Sequence, residues 1–319
     1  MRNQFVRAMT TDRSGNIWAG YFDTGTVSRW EPTRAGDRSP SSFPRTITLG
    51  SDGIRAIYVD TEGNIWVGIQ GGGLVRLKER KVTVYASEDG LPNDGIQAIT
   101  DDGADGVWAT TSLGLAHIAG GPDHKITGYM PRNGFNAIYR DRDGALWIGG
   151  DGLVRFDNGV STTYSTAQGL SNATVHAIVR DNEGNLWAGT VNGLNQLRDG
   201  RFIVYHNSAG LPLDDIRFIL VAGDGSLWLG TVGGLSHFHG GAFTNYTTEN
   251  GLSNNYVRSI LQDDDGAMRV GTYGGGLNRF KNGRFVHITM KDGLLDPFIS
   301  QILDDGRGRL WMLSNHGIL

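Results

Sequence analysis

The sequence predicts an all-β chain built from repeated antiparallel units, and three observations carry that reading. Of 319 residues, 49 are glycine and only 8 proline, roughly twice and half the usual shares, without the period of a collagen. Glycine at that density points to many tight turns. A motif Asp-x-x-Gly-x-aliphatic-Trp-x-Gly recurs along the chain, with successive copies 39 to 48 residues apart. Between copies lie short β-rich runs with no helical periodicity. A period of about 42 residues holding four such runs is the signature of one four-stranded β-propeller blade.

The first copies read Asp12-Arg-Ser-Gly15-Asn-Ile-Trp18-Ala-Gly20 and Asp60-Thr-Glu-Gly63-Asn-Ile-Trp66-Val-Gly68. Later ones centre on Trp108, Trp147, Trp187 and Trp228; the seventh carries Arg269 at the tryptophan position, and the eighth runs from Asp305 to Trp311. Seven of the eight tryptophans therefore hold one repeat position, Trp30 being the exception. In the fifth repeat four runs are visible: Val175 to Arg180, Leu186 to Thr190, Leu194 to Leu197 and Phe202 to Tyr205. Turns at Asp181–Gly184, Val191–Gly193 and Arg198–Gly200 separate them, which makes an antiparallel meander.

The repeated residues have packing explanations. The motif Trp shares a strand face with the motif Gly two positions on, since side chains alternate with period two, and a ring beside bare backbone suits close blade-to-blade packing. The motif Asp bonds its own turn, and the Gly three positions later takes positive φ. Tyr85, Tyr164, Tyr205 and Tyr246 close the outer part of their blades. Seven repeats fill residues 1–290, and 291–319 supplies a partial eighth: either an incomplete last blade or the start of a following module. The expectation is thus a seven- or eight-bladed propeller on a chain that continues beyond Leu319.

Charge and composition exclude several classes. A formal net charge of −4, with no acidic run longer than Asp263-Asp264-Asp265, leaves no basic footprint for nucleic acid. No apolar run is long enough to insert in a bilayer, and the N-terminus lacks a secretory signal. With zero cysteines there is no thiol chemistry. The eight histidines follow no strong metal spacing; His237-x-His239 places two imidazoles on one strand face and is read as incidental. Asp101–Gly106 suggests calcium only superficially, since it lacks EF-hand spacing, and neither a Gly-x-Ser-x-Gly elbow nor a phosphate loop is present. No cofactor or metal is expected. The Asp-box of sialidases sets its Asp five residues before Trp rather than six. The sequons at Asn172 and Asn245 carry no weight alone.

Copies such as Asn185-Leu-Trp-Ala-Gly-Thr190 with Asn192-Gly-Leu194, preceded by Gly169-Leu-Ser-Asn-Ala-Thr-Val175, resemble the two-component regulator propeller repeat. The resemblance covers essentially the whole chain. It implies the sensing region of a bacterial hybrid two-component system, periplasmic or extracellular, coupled to a downstream signalling module. The ligands of such sensors vary and are often glycan fragments. This chain departs from the full architecture in showing no membrane helix, no output domain and about one propeller.

In a propeller the first strand of each blade lines the central channel, and blade-to-blade loops open on one rim with the loops between second and third strands. The Asp-x-x-Gly turns fall on the other rim. Candidate ligand loops are therefore Leu91–Gly95, Ser171–Thr174, Leu211–Asp215, Ser253–Tyr256 and Leu294–Pro297. The second residue of each inner strand is always polar: Arg7, Arg55, Gln97, Asn136, His176, Arg217, Arg258 and Ser300. A ring of these suits an anionic or polar small molecule such as an acidic saccharide, since Arg captures carboxylate or sulfate and Asn, Gln and His bond hydroxyls. The bland alternative is that they line a watery channel and bond neighbouring loops. Two other functions share the fold: a lyase, with His176, Tyr256 and Tyr273 as its asymmetric rim residues, and a protein-interaction scaffold.

Overall fold

The computed structural model describes residues 6–30, 45–78, 81–120, 125–130, 134–294, 296–304, 310–314 and 317–318. The eighth-repeat turn Asp305–Gly308 and Leu295 of a candidate loop lie outside them. The chain is an all-β propeller; the described residues form seven four-stranded antiparallel sheets and an eighth of three strands, each in sequential order. Its inner strands are Val6–Thr11, Ile54–Val59, Ile96–Asp101, Ala137–Arg140, Val175–Arg180, Ile216–Val221, Val257–Gln262 and Ile299–Asp304. Among the described residues the eighth blade's third strand is Gly317–Ile318. The fifth blade shows the pattern in full, with strands Val175–Arg180, Leu186–Thr190, Gly193–Arg198 and Arg201–Tyr205.

The chain divides into two compact units, Met1–Phe135 with Leu303–Ile318, and Asn136–Ile302. Each has the same internal logic. The motif Asp accepts turn amides through one oxygen and the indole N–H through the other. Trp18 donates to Asp12 (2.9 Å), Trp66 to Asp60 (2.8 Å), Trp147 to Asp141 (3.1 Å) and Trp187 to Asp181 (2.7 Å). Blade 7 keeps the contact without the ring, Arg269 Nε donating to Asp263 at 2.8 Å. Two blades depart: Asp102 pairs with His117 at 3.0 Å, and Ala222 stands at the Asp position of blade 6. The outer tyrosines lie over their own tryptophans, at 5.8 Å for Trp66–Tyr85 and Trp147–Tyr164, 5.9 Å for Trp187–Tyr205 and 6.0 Å for Trp228–Tyr246.

In blades 1, 2, 4, 5, 6 and 7 the glycine two residues past the motif position is a seat for the next blade, while Thr110 stands there in blade 3. A Cβ on Gly189 would fall 2.7 Å from Ile216 Cγ2, closer than packed atoms approach. Gly20 takes Ile54, Gly68 takes Ile96, Gly149 takes Val175, Gly230 takes Val257 and Gly271 takes Ile299 in the same way. These plugs, each first in its inner strand, are at most 1% exposed. Leu313 occupies the seat position of blade 8 and packs with Val6, Met9, Ile17 and Tyr21 of blade 1, within the first unit.

Connections from blades 2, 4, 5, 6 and 7 make a single 3-10 turn closed by a left-handed glycine, then bury a leucine: Leu91, Leu170, Leu211, Leu252 or Leu294. That turn sets where the following inner strand begins.

Candidate functional site

The polar position of the inner strands has a backbone cause that alternation alone does not reveal. Val175 pairs with Thr190 and Ala177 with Gly189, so His176 between them is skipped by the ladder. The same irregularity skips Arg7, Arg55, Gln97, Arg217 and Arg258. Each is the extra residue of a β-bulge, a device that re-aims a side chain away from the sheet faces. The buried plug before it and the ladder after it hold the bulge in register. Asn136 differs: it precedes its strand, is exposed, and donates its backbone N–H to Gly149 O at 2.7 Å.

In the first unit Arg55 and Gln97 each bond a side chain of their own blade. Arg55 donates to Gln70 Oε1 through Nε (3.2 Å) and Nη2 (2.8 Å), with its guanidinium 4.8 Å from the Phe22 ring. Gln97 Nε2 donates to Ser112 Oγ at 3.2 Å, and Arg7 is exposed.

In the second unit the bulge side chains of blades 5 and 6 gather around Asp215, and that of blade 7 joins an aromatic group. Arg217 Nη2 donates to Asp215 Oδ2 at 2.6 Å. The other oxygen, Asp215 Oδ1, faces His176 Nε2 at 3.9 Å, beyond hydrogen-bond reach. Both of these atoms and Arg217 Nε are buried with no hydrogen-bond partner. Arg258 Nη1 donates to the Tyr256 hydroxyl at 3.1 Å and its guanidinium lies 5.6 Å from that ring. Tyr256 adjoins Tyr273 at 5.3 Å, and Tyr273 meets Phe298 edge-on at 4.6 Å. Tyr273 is 50% exposed, so this aromatic group presents an open face beside the charged one.

Burial pushes the His176 imidazole below its ordinary value; the Arg217 and Arg258 charges push the same way, and Asp215 opposes them. The ring is therefore held neutral, able to accept at one nitrogen and donate at the other. Inner-strand reasoning did not single out Asp215, Gln70 or Phe298. Asp215 was signalled only by lying two residues before Arg217 at the end of a candidate loop.

The model of the family described as two component regulator propeller matches residues 48–71, 129–152 and 169–192. Three stretches of the chain thus match the two-component regulator propeller repeat. A comparison with curated proteins gives no match. Among solved structures, the chain is similar to two crystal structures of one extracellular domain from B. thetaiotaomicron, described in one as belonging to a one component system (21% identity) and in the other to a hybrid two component system (20% identity). The alignment covers 98% of this chain and 46% of that one with a TM-score of 0.49, so the chain spans about half the length of that relative. Virginiamycin B lyase of Staphylococcus aureus is 14% identical with a TM-score of 0.62, over 99% of this chain and 94% of the enzyme. The WD40 propeller domain of Doa1 is 14% identical with a TM-score of 0.60, over 100% and 92%. The last two likenesses show the propeller fold alone. No helix among the described residues is long and apolar enough to cross a membrane.

Proposed function

We propose that this chain is a non-catalytic sensory propeller of a bacterial two-component-type signalling protein, and that blades 5 to 7 take its ligand. The ligand is a polar or anionic small molecule, with an acidic glycan fragment the best fit. The observation that carries the reading is the placement of His176, Arg217 and Arg258 on bulges, beside an open aromatic face. A buried polar atom without a partner costs about 1–3 kcal/mol, and His176 Nε2, Asp215 Oδ1 and Arg217 Nε all lack one. A ligand hydroxyl or carboxylate supplying those bonds recovers the cost, while a sugar ring lies against Tyr256 and Tyr273. Arg258 and Arg217 select for negative charge. The similarity to the two-component regulator propeller repeat supports an extracytoplasmic location and a downstream output module.

A second reading is favoured by one feature: a neutral His176 near Asp215 is the pairing a lyase uses for its base. Thermal-shift and calorimetric titration with uronic-acid and sulfated oligosaccharides tests the first reading. The wild type rises in Tm with such ligands, and Arg217→Ala with Arg258→Ala abolishes the rise. Retained binding in the double variant, or no ligand in the series raising Tm, overturns it. Chain shortening of the oligosaccharide during incubation, lost in His176→Ala, supports the lyase instead.

A further inference from the structure

At the outer corner of each blade the third strand crosses the motif strand beside the Asp-x-x-Gly turn. Blades 2, 6 and 7 build this corner from equivalent positions. The residue before the turn glycine is acidic: Glu62, Asp224 and Asp265. The third-strand residue opposite the motif position is Arg76, His237 and Arg279. Two residues further on stand Lys78, His239 and Lys281, on the same face by alternation.

In blades 2 and 7 the acid is ion-paired by both cations. Glu62 lies 3.7 Å from Arg76 and 3.3 Å from Lys78; Asp265 meets Arg279, and Lys281 at 2.9 Å. Blade 6 keeps the acid and exchanges both cations for imidazoles. Arginine and lysine offer only donors, whereas each imidazole brings a lone pair. The exchange converts a salt-bridge corner into a convergent set of three ligand atoms, all within 4.8 Å of one another. Among the described residues no other group of three does this.

We propose that Asp224, His237 and His239 form a transition-metal site that takes Zn2+. Two imidazoles and a carboxylate are a common zinc donor set, with positions left open to water or an incoming ligand. The supporting contacts are in place. The His237 ring lies flat on Trp228, with centroids 4.3 Å apart and planes 22° apart, which fixes its direction. Asp224 Oδ1 accepts from the Ser226 backbone N–H at 3.0 Å and from its hydroxyl at 2.6 Å, leaving Oδ2 for the metal. Such outer contacts orient ligands in established metal sites. Asp224 and His239 are exposed, so small side-chain rotations draw the set onto an ion without disturbing the core. The site lies on the outer, Asp-x-x-Gly side of its blade and shares no residue with the group around His176 and Arg217. The ordinary sequence reading of His237-x-His239 as incidental lacked the third ligand.

Equilibrium dialysis of the full chain against Zn2+ at neutral pH, with metal counted by atomic absorption, tests this. One ion per chain is expected, and His239→Ala and Asp224→Asn each weaken binding at least about tenfold. His206→Ala, outside the set, leaves binding unchanged. Co2+ substitution gives visible absorption of four- or five-coordinate geometry in the wild type and not in His239→Ala. Less than one equivalent in the wild type, or equal affinity in His239→Ala, overturns the proposal. Both ligand variants are exposed, so their circular dichroism matches the wild type and a lost ion is not a lost fold.

Discussion

The outer corner and the inner bulge of a blade use the same kinds of polar residue to opposite ends. At the outer corner of blade 5 the motif carboxylate is saturated: Asp181 accepts Asn185 through both backbone and side chain and also clamps Trp187. Burial alone would raise its pKa, yet the bonds from Trp187 and Asn185 outweigh that and hold the carboxyl below its usual value. At the inner bulge, Asp215 and His176 stop short of each other and leave donor and acceptor capacity unused. Repetition accompanies saturation. The corner recurs because it holds each blade together, and the bulge varies because its side chains do not.

The strongest way to break the corner is Trp187→Ala, which removes a ring only 3% exposed and is expected to cost about 3–5 kcal/mol in urea unfolding. Asp181→Asn is isosteric but loses a charge-assisted acceptor, and should cost about 1.5–3 kcal/mol near neutral pH. Its pH dependence has a definite sign. A carboxyl held below its unfolded value of 3.8 stabilises the fold above that pH and loses this contribution as pH falls toward the folded value, so the deficit of the variant shrinks under acid. Gly189→Ala drives a methyl into Ile216 and should cost about 1–3 kcal/mol, relieved when combined with Ile216→Ala if the seat alone is responsible.

The bulge is predicted to behave otherwise. His176→Gln should change stability little at pH 8 and raise it relative to the wild type at pH 5. An imidazole whose folded pKa is depressed below 6.5 is protonated first in the unfolded chain, so acid favours unfolding of the wild type only. A His176→Gln stability that tracks the wild type across this range sinks the claim that the ring is held neutral.

Much of the fold was legible because it depends on period and local pattern. The spacing of Trp18, Trp66 and Trp187 marks blades, and Tyr85, Tyr164 and Tyr205 stand where outer strands must cover those rings. The polar series Arg7 to Arg258 was also visible, but its cause was not. A bulge is one residue skipped by a ladder, and no composition or alternation marks it, since the buried plug before Arg217 and the strand after it read as continuous. The contrast between Arg55, spent on Gln70, and Arg217, left with a spare nitrogen, depends on cross-strand partners with no sequence trace. Asp224 escaped for the same reason: it lies in a turn, and only the hairpin geometry brings it to His237 and His239.

The glycine seats give the fold a mechanical property. Ile216 rests on the bare backbone of Gly189 and Val257 on that of Gly230, with no side chain of the glycine to compress or change rotamer. Like teeth without backlash, these contacts pass a small displacement of one inner strand directly to the neighbouring sheet. Because Arg217 follows Ile216 and Arg258 follows Val257, any force that draws those guanidiniums together bears at once on the joints that set blade spacing.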